Sequence, residues 1–451
     1  MIQSYASHAR AILALGLPLV GSHLAQMALH VTDTVLLGRY GVNELAAVVI
    51  GATCFFVVFI LGSGFAQAIM PLVAAAVGSG DETRVRRDAR MGLWLSIGFG
   101  LLTYPLFWFS QGWLLALGQK PEVARLAQEF LQIGGAGMVP ALLVMALKSY
   151  LAALGRTQVV LWVTLAAVAI NLAVAYPLIF GVWGAPELGL RGAAIASLAV
   201  QMWSCVALMV YAGWLPELRH YRLFQRFWRW DPMALRQVFR LGWPIGVTGL
   251  LEAGLFSASS LMMGWIGTVE LASHGIAMEV AALAFMVHLG LSNATTVRTG
   301  RAEGAGDARA LRDGAKVAIA LSAGFGLAMV TLFLTLPGPI LSLFVDLSKP
   351  ESLRIVAYGT TLLALAALFQ MGDAMQVMAL GLLRGIRDTT VPMWAAAFSY
   401  WVIGIPASYW LAFHAGLGGV GLWLGLCIGL LFAASSLMWR FWHRAPRVIA
   451  A

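Results

Sequence analysis

Twelve stretches of this chain are apolar for the length that a lipid bilayer demands, and little lies between them. A helix needs about 20 consecutive apolar residues to cross the hydrocarbon layer. Such stretches fall roughly at residues 11–37, 46–77, 91–117, 123–153, 158–182, 190–215, 237–264, 270–300, 314–345, 354–383, 390–413 and 417–439. No connection between them is long enough to fold as a soluble domain. Charged residues make up 11% of the chain and hydrophobic ones 60%, against about 25% charged in soluble domains. The first stretch is too long, and too poor in a cleavage site of small residues, to be a removed signal peptide. The expected fold class is therefore an all-α integral membrane protein with twelve transmembrane helices.

The net charge of +9 could suggest a nucleic-acid partner, but its placement argues for topology. With the N-terminus inside, the inner segments hold Arg84, Arg86, Arg87 and Arg90, then Lys148 and Arg156. A central connection holds Arg219, Arg222, Arg226, Arg229, Arg236 and Arg240, and the tail holds Arg440, Arg444 and Arg447. The outer loops hold only Arg39, Lys120, Arg125, Arg191, Lys349 and Arg354. Lys and Arg stay on the cytoplasmic side of membrane proteins, so both termini are expected there and no nucleic acid is expected to bind.

The chain also matches itself. At an offset of 226, Arg10, Leu15, Gly16, Pro18, Leu24, Leu29, Gly38, Gly41 and Glu44 recur as Arg236, Leu241, Gly242, Pro244, Leu250, Leu255, Gly264, Gly267 and Glu270. The same offset pairs Gly80 and Asp81 with Gly306 and Asp307; a shift of 229 pairs Pro177, Gly189 and Gly192 with Pro406, Gly418 and Gly421. The expected organisation is two homologous six-helix lobes, residues 1–215 and 237–451, joined by the basic connection 216–236. Because both halves begin on the same side, they are related by an axis along the membrane normal. That is a plan used by carriers that alternate access to a central site.

Acids inside the apolar stretches need a reason, since a charge at the bilayer centre costs about 2.5–3.5 kcal/mol even on insertion scales. Asp33, Glu252, Glu279 and Asp373 qualify. The repeat shares them unevenly: Glu252 matches Gln26, Glu279 matches Thr53, and Asp33 matches Ser259. Carboxylates gathered at low dielectric either bind a cation or hold protons, and hard oxygen ligands suit Na⁺ or H⁺ over a soft metal. Each acid could instead make a structural hydrogen bond, and for Glu279 the two readings balance. Asn171 fits either helix–helix adhesion or support of Asp33. His288 reads as a packed or pore-lining residue, and Lys148 as a side chain reaching for the inner surface.

Several chemistries are excluded. The chain has no Gly-Lys dipeptide, hence no phosphate-binding loop of the P-loop kind, and neither His-Glu-x-x-His nor Cys-x-x-Cys. Cys54, Cys205 and Cys427 sit in apolar stretches without metal or disulfide spacing. No cofactor is expected, and energy would come from an ion gradient. The abundant Met, Phe and Trp serve lipid contact and packing, and some suit a cavity for flat organic cations.

The segments LGLPLVGSHLAQMALHVTDTVLLGRYG and LGWPIGVTGLLEAGLF, then VWGAPELGLRGAAIAS and DAMQVMALGLLRGIRDTTVP, together resemble the multidrug and toxic compound extrusion (MATE) transporters, in particular their NorM-like branch. The loop GSGDETRVRRDARMG lacks the signature of the major facilitator carriers, which share the six-plus-six plan. The resemblance implies that Asp33 is the first-helix aspartate linked to protonation and drug release, with Asn171 near it. It implies that Glu252 and Asp373 bind the coupling Na⁺; Gln26, the repeat counterpart of Glu252, and Phe369 are further candidates for binding or supporting the substrate. Phe369 departs from the tyrosine that similar proteins can have beside the ion, Ala175 replaces a second polar residue on the fifth helix, and Glu279 stands where an asparagine is similar.

The expected function is a secondary antiporter, not an enzyme. It would export small cationic amphipathic compounds in exchange for Na⁺ or H⁺, as a monomer in a bacterial inner membrane. A flippase of lipid-linked oligosaccharides is one rival, but it would want a cationic cleft for a diphosphate. An intramembrane enzyme built on Glu252 and Asp373, or a membrane scaffold, is another. Vesicle uptake separates them.

Overall fold

A computed structural model describes residues 4–345 and 350–450; Lys349 and the side chain of Arg447 lie outside the described parts. Among the described residues the secondary structure is entirely helical, and twelve helices are long and apolar enough to cross a membrane. They are α1 (Tyr5–Tyr40), α2 (Asn43–Gly78), α3 (Glu82–Trp108), α4 (Pro121–Ala153), α5 (Thr157–Phe180) and α6 (Leu190–Trp214). Next come α7 (Pro232–Ile266), α8 (Thr268–Gly304), α9 (Ala308–Thr335), α10 (Ser352–Gly385), α11 (Thr390–His414) and α12 (Gly418–Ala445).

The helices outrun the apolar stretches that betray them. α1, α2, α8 and α10 each exceed 30 residues, because hydropathy marks where lipid ends whereas a helix ends where its backbone finds a cap. The repeat supplies such caps in pairs. Gly80 and Gly306 take left-handed φ of +73° and +66°. The following Asp81 and Asp307 then open α3 and α9, each accepting at 2.9 Å from the backbone N–H three residues on, of Arg84 and Ala310. Gly189 and Gly418, also left-handed, precede α6 and α12. α4 is interrupted by a tighter turn at Gly135–Gly137, and α11 widens into π-helical segments at Phe398–Gly404 and Trp410–His414.

The chain forms two compact units, one of Met1–Val20 with Thr248–Ala451 and one of Gly21–Val247. The boundaries therefore run through α1 and α7. In the unit of Gly21–Val247, α2 and α7 touch backbone to backbone. A Cβ on Gly64 would strike Gly242 and Gly246, and one on Gly246 would strike the Leu61 carbonyl. Small residues permit such approach between membrane helices. At the matching positions of the other unit, Gly290 of α8 lies against Val20 of α1, and Gly16 against Leu291. Each unit thus holds the first part of the helix that opens the opposite half.

Apolar cores fill both units. Leu37, Phe107, Leu131, Met138 and Ile179 are buried together in one; Leu255, Met263, Phe333, Phe369, Tyr400 and Trp423 in the other. Cys205 and Cys427 are buried and Cys54 is partly buried, all as free thiols.

Candidate ion and substrate sites

In the unit of Gly21–Val247 the site begins on α1. Thr32 and Thr34 turn their hydroxyls back to the carbonyls of Ala28 and His30, at 2.8 and 2.9 Å. Both are thereby satisfied within the helix, and Asp33 between them remains for tertiary contact. Its half-buried carboxylate accepts from Nδ2 of Asn171 on α5 at 2.7 Å. Ser197 of α6 also hydrogen-bonds it, and His30 lies within electrostatic reach. Asn171 is itself buried. The acid is thus held by neutral donors from two helices and can accept a proton or face a cation. Gln26, half-buried on α1, has no hydrogen bond to the described residues. Lys148 is half-buried on α4, within electrostatic reach of His23.

The other unit builds a larger polar cluster on α10. Gln370, Asp373 and Gln376 stand three residues apart, so they follow one side of the helix. All three are buried, at 0%, 2% and 0% exposure. Gln376 Nε2 donates to the phenol oxygen of Tyr400 and stands 3.5 Å from Oε1 of half-buried Glu252 on α7. That second distance is at the outer limit of a hydrogen bond. Asp373 is within electrostatic reach of Glu252, and so is Arg384 near the end of α10. Tyr400 reaches Gln376 from the first π-helical segment of α11, where the wider turn changes the angle at which side chains leave the helix.

The remaining expected residues are placed apart from this cluster. Phe369 is buried but lies in an aromatic wall, edge-on to Phe256 at 6.0 Å and to Trp423 at 5.6 Å between centroids. It brings no oxygen to the carboxylates. Glu279 of α8 is exposed and makes no hydrogen bond or ion pair with the described residues. The structure therefore brings Glu252 and Asp373 together and leaves Glu279 out. Among the described residues no three His, Cys, Asp or Glu gather as a metal centre; besides the carboxylates of Asp373 and Glu252, the cluster's oxygens are those of amides and a phenol.

Sequence reasoning missed Gln370, Gln376, Tyr400 and Ser197. A signal for two of them was present, since the glutamines flank Asp373 at three residues on either side. Nothing local marked Tyr400 or Ser197.

Comparison with known proteins follows the same division. The family model described as MatE matches residues 18–177 and 244–410, once in each half of the repeat. A Rhizobium meliloti protein named "Probable multidrug resistance protein NorM" is 44% identical over 448 residues, covering 99% of this chain and 96% of that protein. A protein of the same name from Agrobacterium fabrum is 44% identical over 438 residues, covering 97% and 94%. The solved structure described as "Outward-facing conformation of a multidrug resistance MATE family transporter of the MOP superfamily" superposes with a TM-score of 0.87. It covers 98% of this chain and 96% of its own at 21% identity, which speaks for the fold alone.

Proposed function

The chain belongs to the MatE family, and on that premise we propose that it is a secondary antiporter that exports cationic, amphipathic compounds in exchange for Na⁺ or H⁺. It works as a transporter and not as an enzyme. The observation that carries the reading is that each unit holds acids within its membrane-spanning helices against side-chain amides of a neighbouring helix. Asp33 is held by Asn171 in one, and Glu252 and Asp373 lie beside Gln376 in the other.

Na⁺ is cargo in this scheme. Glu252 and Asp373, with the amide and phenol oxygens of Gln376 and Tyr400 nearby, supply hard donors for it. Asp33, with one amide and one hydroxyl donor, suits a proton. A drug cation favours the state in which these acids are charged and unoccupied; the coupling ion neutralises them and releases the drug on the far side. Such coupling needs only that ion and drug exclude each other or prefer different states. The positive-inside distribution of Lys and Arg supports cytoplasmic termini in a bacterial inner membrane, and the internal match supports lobes at 1–215 and 237–451 as the duplicated plan behind alternating access. A monomer suffices, since each unit contains its own acids.

The test is ethidium efflux from proteoliposomes of purified protein, with Na⁺ and pH gradients imposed separately. Efflux driven by Na⁺ supports an ion site at Glu252 and Asp373. Efflux driven only by a pH gradient moves the coupling to protons, with Asp33 first. No efflux under either gradient overturns the antiporter reading and favours lipid-linked substrates.

A further inference from the structure

In the unit that carries Glu252 and Asp373, side chains from two neighbouring helices bury polar atoms that the described residues leave unpaired. His288 of α8 is fully buried. Its Nδ1 lies 2.9 Å from Oγ of Ser322 on α9, and its ring meets Phe325 edge-on at 5.2 Å. Its Nε2 has no hydrogen-bond partner among the described residues. On α10 the same holds for both amide atoms of Gln370 and for Oδ1 of Asp373.

These atoms lie at one level. Oγ of Ser292 on α8 donates to the Val377 carbonyl of α10 at 2.7 Å, and Oγ1 of Thr296 to the Gly381 carbonyl at 2.9 Å. Both bonds join residues 85 apart, so the helices run in parallel register. The same offset sets His288 level with Asp373. The direction of the imidazole follows from Gly326 of α9, where an added Cβ would meet Met371 Sδ at 3.3 Å, Ala374 Cβ at 3.7 Å and His288 Cε1 at 3.9 Å. Cε1, which lies between the two ring nitrogens, thus sits near Gly326 in the neighbourhood of Met371 and Ala374 of α10, the latter being the residue after Asp373 and one turn from Gln370.

Native proteins pair nearly all buried polar atoms, and where side chains do not meet, an ordered water with two to four partners joins them. We propose that His288 is a positioning residue of the coupling-ion site, orienting the Asp373 carboxylate toward Glu252 through a water that it shares with Gln370. The proposal rests on the reading of Glu252 and Asp373 as that site. Ser322 engages Nδ1 and so leaves Nε2 for the water. The carboxylate reaches its working direction only when both of its sides are tied, by Glu252 and the ion on one and by the water on the other. Partners of this outer kind change ion affinity about 10–100-fold when removed.

The experiment measures drug efflux from proteoliposomes against the concentration of the driving ion, Na⁺ or H⁺, for wild type, His288→Leu, His288→Gln and Asp373→Asn. His288→Leu is expected to raise the half-saturating ion concentration about ten-fold or more, with a much smaller fall in the maximal rate. His288→Gln, whose amide reaches the position of Nε2, is expected to restore most of the affinity. An unchanged half-saturation in His288→Leu, or an equal fall in maximal rate for Leu and Gln, would make His288 a packing residue and overturn the proposal. Should His288→Leu fail to reach the membrane folded, Gln370→Leu carries the same expectation, and an unchanged half-saturation there overturns it equally. Full transport by Asp373→Asn would remove the ion site itself, a failure of the functional reading distinct from that of His288.

Discussion

Asn171 donates from Nδ2 to Oδ1 of Asp33 over 2.7 Å, tying α5 to the acid of α1. A hydrogen bond to a charged group is worth about 1.5–3 kcal/mol. Asn171→Leu keeps the volume and removes the donor. It is expected to lower drug export about ten-fold or more without lowering the amount of protein in the membrane. Export measured in cells at matched expression would retire this role if Asn171→Leu matched wild type.

Asp373 is buried and lies within electrostatic reach of Glu252. Asp373→Asn retains shape and hydrogen-bonding capacity but cannot carry charge. Ion-driven efflux is expected to vanish while the protein still folds and reaches the membrane. Proteoliposome transport together with a membrane-fraction blot reads both halves of the expectation. Efflux at the wild-type rate would remove Asp373 from the mechanism.

The touching backbones of α2 and α7 make a stability prediction. Gly64→Ala places a methyl against Gly242 and Gly246, and Gly290→Ala does the same against Val20. Each is expected to destabilise by about 1–3 kcal/mol through overpacking. Gly98→Ala and Gly275→Ala, which meet nothing within 4 Å, are expected to be neutral or stabilising, since Ala is the better helix former by about 1 kcal/mol. Thermal unfolding in detergent ranks the four, and equal shifts in both pairs would refute the close-approach argument.

His274 is buried between Ser260, 3.2 Å from its Nε2, and Trp423, whose Nε1 donates to its Nδ1 at 3.1 Å. Trp423→Phe leaves that nitrogen without its donor in an apolar core and shrinks the aromatic wall around Phe369. The expected loss is about 3 kcal/mol, most of it from the unpaired nitrogen and the cavity. His274→Phe in the same background should recover part of it, because the nitrogen that lost its donor is then gone, while the half-buried Ser260 hydroxyl loses a partner and keeps the recovery partial. The double-mutant comparison of unfolding temperatures checks this.

Much of the architecture could be read locally. Residues 46–77 or 270–300 can span a membrane because apolar length alone decides that. Gly80-Asp81 and Gly306-Asp307 start helices because a left-handed glycine followed by an aspartate cap is a property of a few consecutive residues. The internal match likewise needed no structure. The acids were a different matter: Glu252 and Glu279 look alike in sequence, each a carboxylate set among apolar residues.

What the sequence alone determined was the number of spans, their order, the duplicated plan and the short set of residues too polar to lie in lipid without a reason. What the tertiary structure decided was which of them meet. Gln376 joins Glu252 across 124 residues and Tyr400 across 24, while Glu279 is left exposed. The same packing brings Ser197 to Asp33 and sets His288 level with Asp373. The physical reason is that helical periodicity assigns a side chain to a face, whereas the neighbour that face receives depends on the close approach of whole helices, set by residues far away in the chain.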